Sequence, residues 1–209
     1  MKIKITSISA LSEGAEVILS LSIEDGSGNS EKRKLLLFTE QYLELGLKKG
    51  SEIDMEQFDE LERLSRTCKA IKKGRDLLSY SASSRARLTS RLRSKGIDAE
   101  SAREASEHLA HIGLIDEGAD VERSVQKCLK KLWGRKRIVS DLCAKGYPRD
   151  IVLSEVAMIS EDELISNCAS LIQKKYGKAP NTPDERKKMI ASLIRYGYSF
   201  AQITQALKK

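Results

Sequence analysis

Histidine is nearly absent from this chain: His108 and His111 are the only two in 209 residues. They stand three apart, with no carboxylate or cysteine spacing that would complete a catalytic or metal site. Cysteine is sparse too, and Cys68, Cys128, Cys143 and Cys168 form no C-x-x-C pair. That pattern encodes neither a zinc site nor a dense disulfide framework, and it predicts four reduced, half-buried thiols. Aromatic residues make up only 5%, which suits surface-rich helices better than a large aromatic-cored sandwich. No run approaches the roughly 18 apolar residues a bilayer span needs, and no basic-then-apolar leader opens the chain. A cytoplasmic protein without a membrane partner is therefore expected. "GSGNSEK", residues 26 to 32, lacks the G-K-[ST] ending of a phosphate loop and joins two strands, so it reads as a hairpin turn. No cofactor and no enzyme chemistry are signalled.

Charge is what the chain has in quantity. Charged residues make up 32%, and the net charge is +7. The excess lies in the C-terminal part: residues 1 to 53 hold 7 Lys/Arg against 8 Asp/Glu, which leaves 30 against 22 of the totals 37 and 30 for the rest. Such a balance favours polyanions or an acidic protein partner through long-range attraction.

Residues 2 to 9 (KIKITSIS) and 16 to 23 (EVILSLSI) alternate with period two and predict strands. KRKLLLF, residues 32 to 38, adds a third, which together make a small antiparallel meander with an exposed edge. Thr39 is a candidate N-cap for a short helix that ends before Gly46. From Asp54 to about Tyr80, Phe58, Leu61, Leu64, Cys68, Ile71, Leu77 and Leu78 recur mainly three or four apart, which predicts a long amphipathic helix connecting the two halves of the chain.

Beyond it the chain repeats itself. Placing Gly96, Gly146 and Gly197 in register aligns SRARLTSRLRSKGI, GRKRIVSDLCAKGY and DERKKMIASLIRYGY. In each copy one apolar residue precedes the glycine by eight (Leu88, Ile138, Met189) and another by four (Leu92, Leu142, Leu193), which puts both on one helical face. The glycine suits the left-handed position that ends a helix, and Ile97, Tyr147 or Tyr198 behind it can pack back on the last turn. A helix precedes and another follows each motif. The expected fold is mainly α: tandem three-helix repeats in an elongated, curved body behind a small β-rich segment. The boundaries expected are 1–53 for the β-rich unit, 54–80 for the connecting helix and the start of the first repeat, then repeats at 66–115, 116–159 and 160–209.

Two basic runs stand out. Residues 85 to 95 hold Arg85, Arg87, Arg91, Arg93 and Lys95, and residues 127 to 137 hold Lys127, Lys130, Lys131, Arg135, Lys136 and Arg137, neither with an acid. Positive charge disfavours a helix N-terminus by about 0.3 to 1 kcal/mol per exposed residue. The third copy begins instead with Thr182, Pro183, Asp184 and Glu185, the cap, proline and acids that stability selects. The contrast suggests that the first two helix starts, with free N–H groups beside guanidinium groups, face an anionic partner. The candidate partner- or nucleic-acid-binding residues are Arg85, Arg87, Arg91, Lys95, Lys131, Arg135, Lys136 and Arg137. On this view Trp133 closes a helix against the core, Gly134 makes the turn, and removing Arg135, Lys136 and Arg137 leaves stability unchanged or improved.

The segments LLSYSASSRARLTSRLRSKG, LAHIGLIDEGAD and LWGRKRIVSDLCAKG together resemble the RecX family of bacterial regulatory proteins, over about residues 66 to 209. The match departs at "SYSASS", where the family usually carries an arginine-rich run, and within "EGADVERS", where an aromatic residue is usual. The resemblance implies a non-enzymatic regulator, a monomer of tandem three-helix units. It would lie in the groove of the RecA–DNA filament, usually inhibiting the ATPase and strand exchange of the RecA recombinase, with possible direct DNA contact and a place in DNA repair, recombination and the SOS response. The residues alone support a helical-repeat binding module, for which a stand-alone DNA- or RNA-binding protein is the alternative.

Overall fold

The computed structural model describes residues 2–11, 14–25, 30–177 and 182–208. Strands β1 (Lys2–Leu11), β2 (Glu16–Glu24) and β3 (Ser30–Phe38) form the antiparallel meander, and a two-residue strand β4 (Glu52–Ile53) adds to the outer edge of β1, giving the order β3-β2-β1-β4. The register runs from Lys2 opposite Glu24 to Leu11 opposite Glu16, with a bulge between Ile5 and Ser7. Residues 26 to 29 of the expected hairpin turn lie outside the described residues. β4 is too short to carry an alternating pattern, so periodicity does not reveal it.

Ten helices follow among the described residues: α1 (Thr39–Glu44), α2 (Met55–Tyr80), α3 (Arg85–Ser94), α4 (Ala99–His111), α5 (Glu117–Lys130), α6 (Arg135–Ala144), α7 (Arg149–Ala157), α8 (Glu161–Tyr176), α9 (Pro183–Arg195) and α10 (Phe200–Ala206). The N-cap of α1 is Phe38 rather than Thr39. β3 runs directly into the helix, and Thr39 is drawn back to the β1–β2 connection, its N–H donating to Ala15 O at 3.1 Å and its hydroxyl to Gly14 O.

The chain forms two compact bodies, Met1–Ser81 with Leu88–Leu114, and Ala82–Arg87 with Ile115–Lys209. The long helix α2 therefore belongs wholly to the first body, and the division falls inside α3. In the first body the sheet buries Ile3, Ile5, Val17, Leu19, Leu21, Leu35 and Leu37 against Phe58 and Leu61 of α2. Asp54 caps α2 by accepting from Gln57 N–H at 2.8 Å. Ser65 of α2 reaches the β3 edge and accepts from Leu36 N–H at 2.9 Å. Further along α2, Gly74 lets α4 close in: a Cβ there would stand 2.6 Å from Leu109 Cδ1.

Tandem three-helix repeats are what α2 to α10 build, with α3, α6 and α9 as the middle helices. Leu88, Leu92, Ile138, Leu142, Met189 and Leu193 are all fully buried, so the stripe read from the sequence is the core stripe. Gly96, Gly146 and Gly197 all take left-handed backbone, with φ of 84°, 82° and 98°. Each middle helix ends in the same way. The N–H of Ile97, Tyr147 and Tyr198 donates to the carbonyl of Leu92, Leu142 and Leu193 at 3.2–3.3 Å. That closure satisfies carbonyls a helix end otherwise leaves bare.

Trp133 follows a similar turn, but the left-handed residue there is Leu132, with φ of 58°. Gly134 has φ of −85° and serves as the N-cap of α6, so it does not make the turn. Its missing side chain answers a different need. A Cβ on Gly134 would stand 2.4 Å from Gly197 C, and one on Gly197 would stand 2.5 Å from Arg137 N. Backbone meets backbone here: Gly134 N–H donates to Tyr196 O at 2.8 Å and Lys136 N–H to Gly197 O at 3.2 Å. The start of α6 thus abuts the end of α9.

The same junction recurs one repeat earlier in the second body. Ser84 Oγ accepts from Arg87 N–H at 3.2 Å and donates to Lys145 O at 2.8 Å, and a Cβ on Gly146 would stand 2.9 Å from Ser84 Oγ. The three glycines therefore share a backbone conformation but not an environment, since nothing lies within 4 Å of a Cβ on Gly96. Gly96→Ala should cost only the left-handed penalty, about 1 to 2 kcal/mol. Gly146→Ala should cost more and Gly197→Ala most, because only backbone could give way. Urea unfolding midpoints of the three variants should fall in that order, and a Gly197 variant no weaker than the Gly96 variant would contradict the junction.

Candidate functional site

The helix starts that carry the basic residues are not open. At α3 the Arg85 N–H donates to Glu117 Oε1 at 2.9 Å and Arg85 Nε to Glu117 Oε2 at 3.1 Å. Glu117 is the first residue of α5. At α6 the guanidinium of Arg135 bonds the carboxylate of Glu161 and the carbonyl of Ile159, and Glu161 is the first residue of α8. One device therefore occurs twice: the arginine that opens a middle helix holds the glutamate that opens the following repeat. At α6 the N–H of the N-cap Gly134 and that of Lys136 donate to the carbonyls of Tyr196 and Gly197. This corrects the expectation of free N–H groups at those starts.

The acid-capped start of α9 supplies its own cap instead, with Thr182 Oγ1 accepting from Glu185 N–H at 3.3 Å and Pro183 in the first turn. Conversely, the positive charge at α6 lies against the carbonyl end of α9, whose partial negative charge offsets the unfavourable pole of α6 itself.

Arg137 has a different neighbourhood. Its guanidinium lies 4.2 Å from the ring centre of Trp133 and 4.9 Å from that of Tyr196. Lys131 Nζ stands 5.2 Å from Trp133, and Lys175 Nζ 4.7 Å from Tyr196. Trp133 itself packs, half-buried, against the core of the second body. Arg137 thus ties the second and third repeats by cation–π attraction, worth about 0.5 to 2 kcal/mol per contact depending on desolvation.

The eight expected residues accordingly divide. Arg85, Arg135 and Arg137 hold repeats together, Lys131 leans on Trp133, and Arg91 is half-buried. Arg87, Lys95 and Lys136 are exposed, as are Lys127 and Lys130 on α5. Lys136 lies between two grooves, one lined by Arg135, Val139, Arg149, Leu153, Val156 and Ala157, the other by Trp133, Arg137, Ile194 and Arg195. Glu117, Glu161, Arg149 and Arg195 were missed by sequence reasoning; that Glu117 and Glu161 each open the first helix of a repeat was the available signal. Among the described residues no group of three or more His, Cys, Asp or Glu side chains is placed to hold a metal ion, and no helix is long and apolar enough to cross a membrane.

The fold and this surface define a helical-repeat protein with a β-sheet N-terminal segment and basic repeat faces. A family model for the third three-helix domain of RecX matches residues 161–207. The regulatory protein RecX of Chlorobaculum tepidum is 30% identical over 134 residues, which cover 63% of this chain and 82% of that protein. A crystal structure of regulatory protein RecX superposes with a TM-score of 0.78 at 19% identity, covering 99% of this chain and 100% of the other. RecX from Lactobacillus salivarius gives 0.60 at 20% identity over 68% of this chain and 95% of its own. At those identities the two structures speak to fold alone. This chain belongs to the RecX family.

Two measurements follow from the local chemistry. Hydrogen bonds from Gln202, and then the Arg135 guanidinium, hold the Glu161 carboxyl below its ordinary value of 4.5. A carboxyl depressed in the folded state adds stability above that value and loses it as pH falls through the folded value. Glu161→Gln should therefore flatten the fall of the unfolding midpoint below about pH 4.5, and an unchanged acid limb would show the pair to be inert. Separately, Arg137→Ala should destabilise by about 1 to 3 kcal/mol while Lys136→Ala stays within about 0.5 kcal/mol. Equal melting curves for the two variants would refute this division of labour, which replaces the expectation that the whole triplet is dispensable for stability.

Proposed function

We propose that this chain is a non-enzymatic regulator that binds the RecA recombinase filament and lowers its ATPase and strand-exchange activity. The observation that carries the reading is the 30% identity that spans 82% of a regulatory protein RecX. The charge distribution agrees with it in kind. Arg87, Lys95, Lys127, Lys130 and Lys136 are exposed, and together with Lys131 and Arg91 they are the residues proposed to meet the partner or its DNA. Arg85, Arg135 and Arg137 act through them by fixing the repeats. The repeat boundaries 66–115, 116–159 and 160–209 and the β-rich unit 1–53 are kept as the proposed working division, and a cytoplasmic monomer as the proposed state. The alternative is stand-alone DNA or RNA binding, which the same exposed lysines favour.

Sedimentation with single-stranded DNA, bare or coated with RecA, separates the two. The chain should prefer the coated DNA and should slow ATP hydrolysis by RecA. Replacing Lys127, Lys130 and Lys136 by Ala should weaken retention, and should flatten its salt dependence by about one unit of slope for each lost phosphate contact. Equal or better binding to bare DNA would favour the alternative, and ATP turnover by the chain itself would end the non-enzymatic reading.

A further inference from the structure

The groove between α6 and α7 encloses about 550 Å³ and has two kinds of wall. Val139, Leu153 and Val156 give an aliphatic floor, and Arg135, Lys136 and Arg149 give a rim of one sign. Leu153 is 44% exposed, and Met158, the C-cap of α7, is 81% exposed. The other side of α7 differs in character. There Asp150 and Glu155 share a groove with Glu122, so α7 separates a basic apolar surface from an acidic one.

An open apolar patch bordered by charge marks an interaction site. The chemistry of this one discriminates between occupants. A nucleic acid strand would find phosphate contacts at Lys136 and Arg149, but the lining offers no aromatic ring on which a base could stack, and it would leave Leu153 in water. A protein segment with carboxylates flanking an apolar anchor satisfies floor and rim together. Building on the filament reading above, we propose that the α6–α7 groove receives an acidic segment of the protein partner, seating one leucine, isoleucine or phenylalanine side chain on Val139, Leu153 and Val156 while its carboxylates meet Lys136 and Arg149. Arg135, already bonded to Glu161 and Ile159, fixes the groove's end.

The full-length chain, labelled with ¹⁵N, should be titrated with three probes: a synthetic peptide alternating Glu and Leu pairs, the same peptide with Lys for every Glu, and a short oligo(dT). The Glu peptide should shift the amide resonances of Val139, Arg149 and Leu153, and its affinity should drop about tenfold in Leu153→Asp and in Arg149→Glu. Equal shifts from the Lys peptide, no shift in the groove, or preferential filling by oligo(dT) would overturn the proposal. The same two variants, checked to melt with the parent, should lose about tenfold in retention on RecA-coated DNA. If the parent chain is not retained there, the filament reading fails while the peptide titration still decides the groove. If parent and variants are retained equally, the groove proposal fails and the filament reading stands.

Discussion

The contact on which the second body depends is a meeting of two backbones. The α6 start and the α9 end approach so closely that neither Gly134 nor Gly197 has room for a β-carbon, with atoms of the opposing chain 2.4–2.7 Å from where one would be. Donors that a helix start leaves unpaired are matched there with acceptors that a helix end leaves unpaired, and opposite poles face one another. Placing both glycines costs backbone entropy. The return is that two otherwise unsatisfied ends resolve each other without side chains, which leaves the flanking side chains available for other work.

The flanking side chains divide accordingly. Arg85 and Arg135 bridge to Glu117 and Glu161, and Arg137 lies between Trp133 and Tyr196. Such contacts reduce the number of cations free to meet an anionic partner; of the two runs, Arg87, Arg93, Lys95, Lys127, Lys130, Lys131 and Lys136 are exposed and outside these bridges. A dense basic run in sequence is therefore not a dense basic patch in space. Alternate members of the run 135–137 hold the protein together, while the one between them points outward.

Much of the fold was legible because it rests on local periodicity. The period-two strands, the long helix from Asp54, and the glycine with its two upstream apolar residues are each specified within a dozen residues or so, and three copies of the last reinforced one another. What escaped was non-local. β4 has two residues, and its contacts with Lys2, Ile3 and Lys4 are some fifty residues away in sequence. The left-handed turn before α6 falls on Leu132, although the glycine two residues on is the residue composition would choose. The candidate site was half legible for the same reason: residue type located the positive charge, but only the partners 26 and 32 residues away decide which arginines are spent. The acid-free starts of α3 and α6 suggest a ligand when read in sequence alone, but a following repeat satisfies a helix start as well as a ligand can.

The pairing rule between repeats has a bearing on how such a chain can change length. Each of the first two units presents an arginine at the start of its middle helix, and each of the last two presents the glycine terminus and the glutamate that receive that start. The second unit has both halves. A tandem duplication of that unit would therefore inherit compatible joints on either side, whereas a copy of the third, with its Thr182–Pro183 finish, would have no joint to offer the unit after it. Gene-level growth or loss of modules in the middle of the array is thus permitted by the chemistry of the joint.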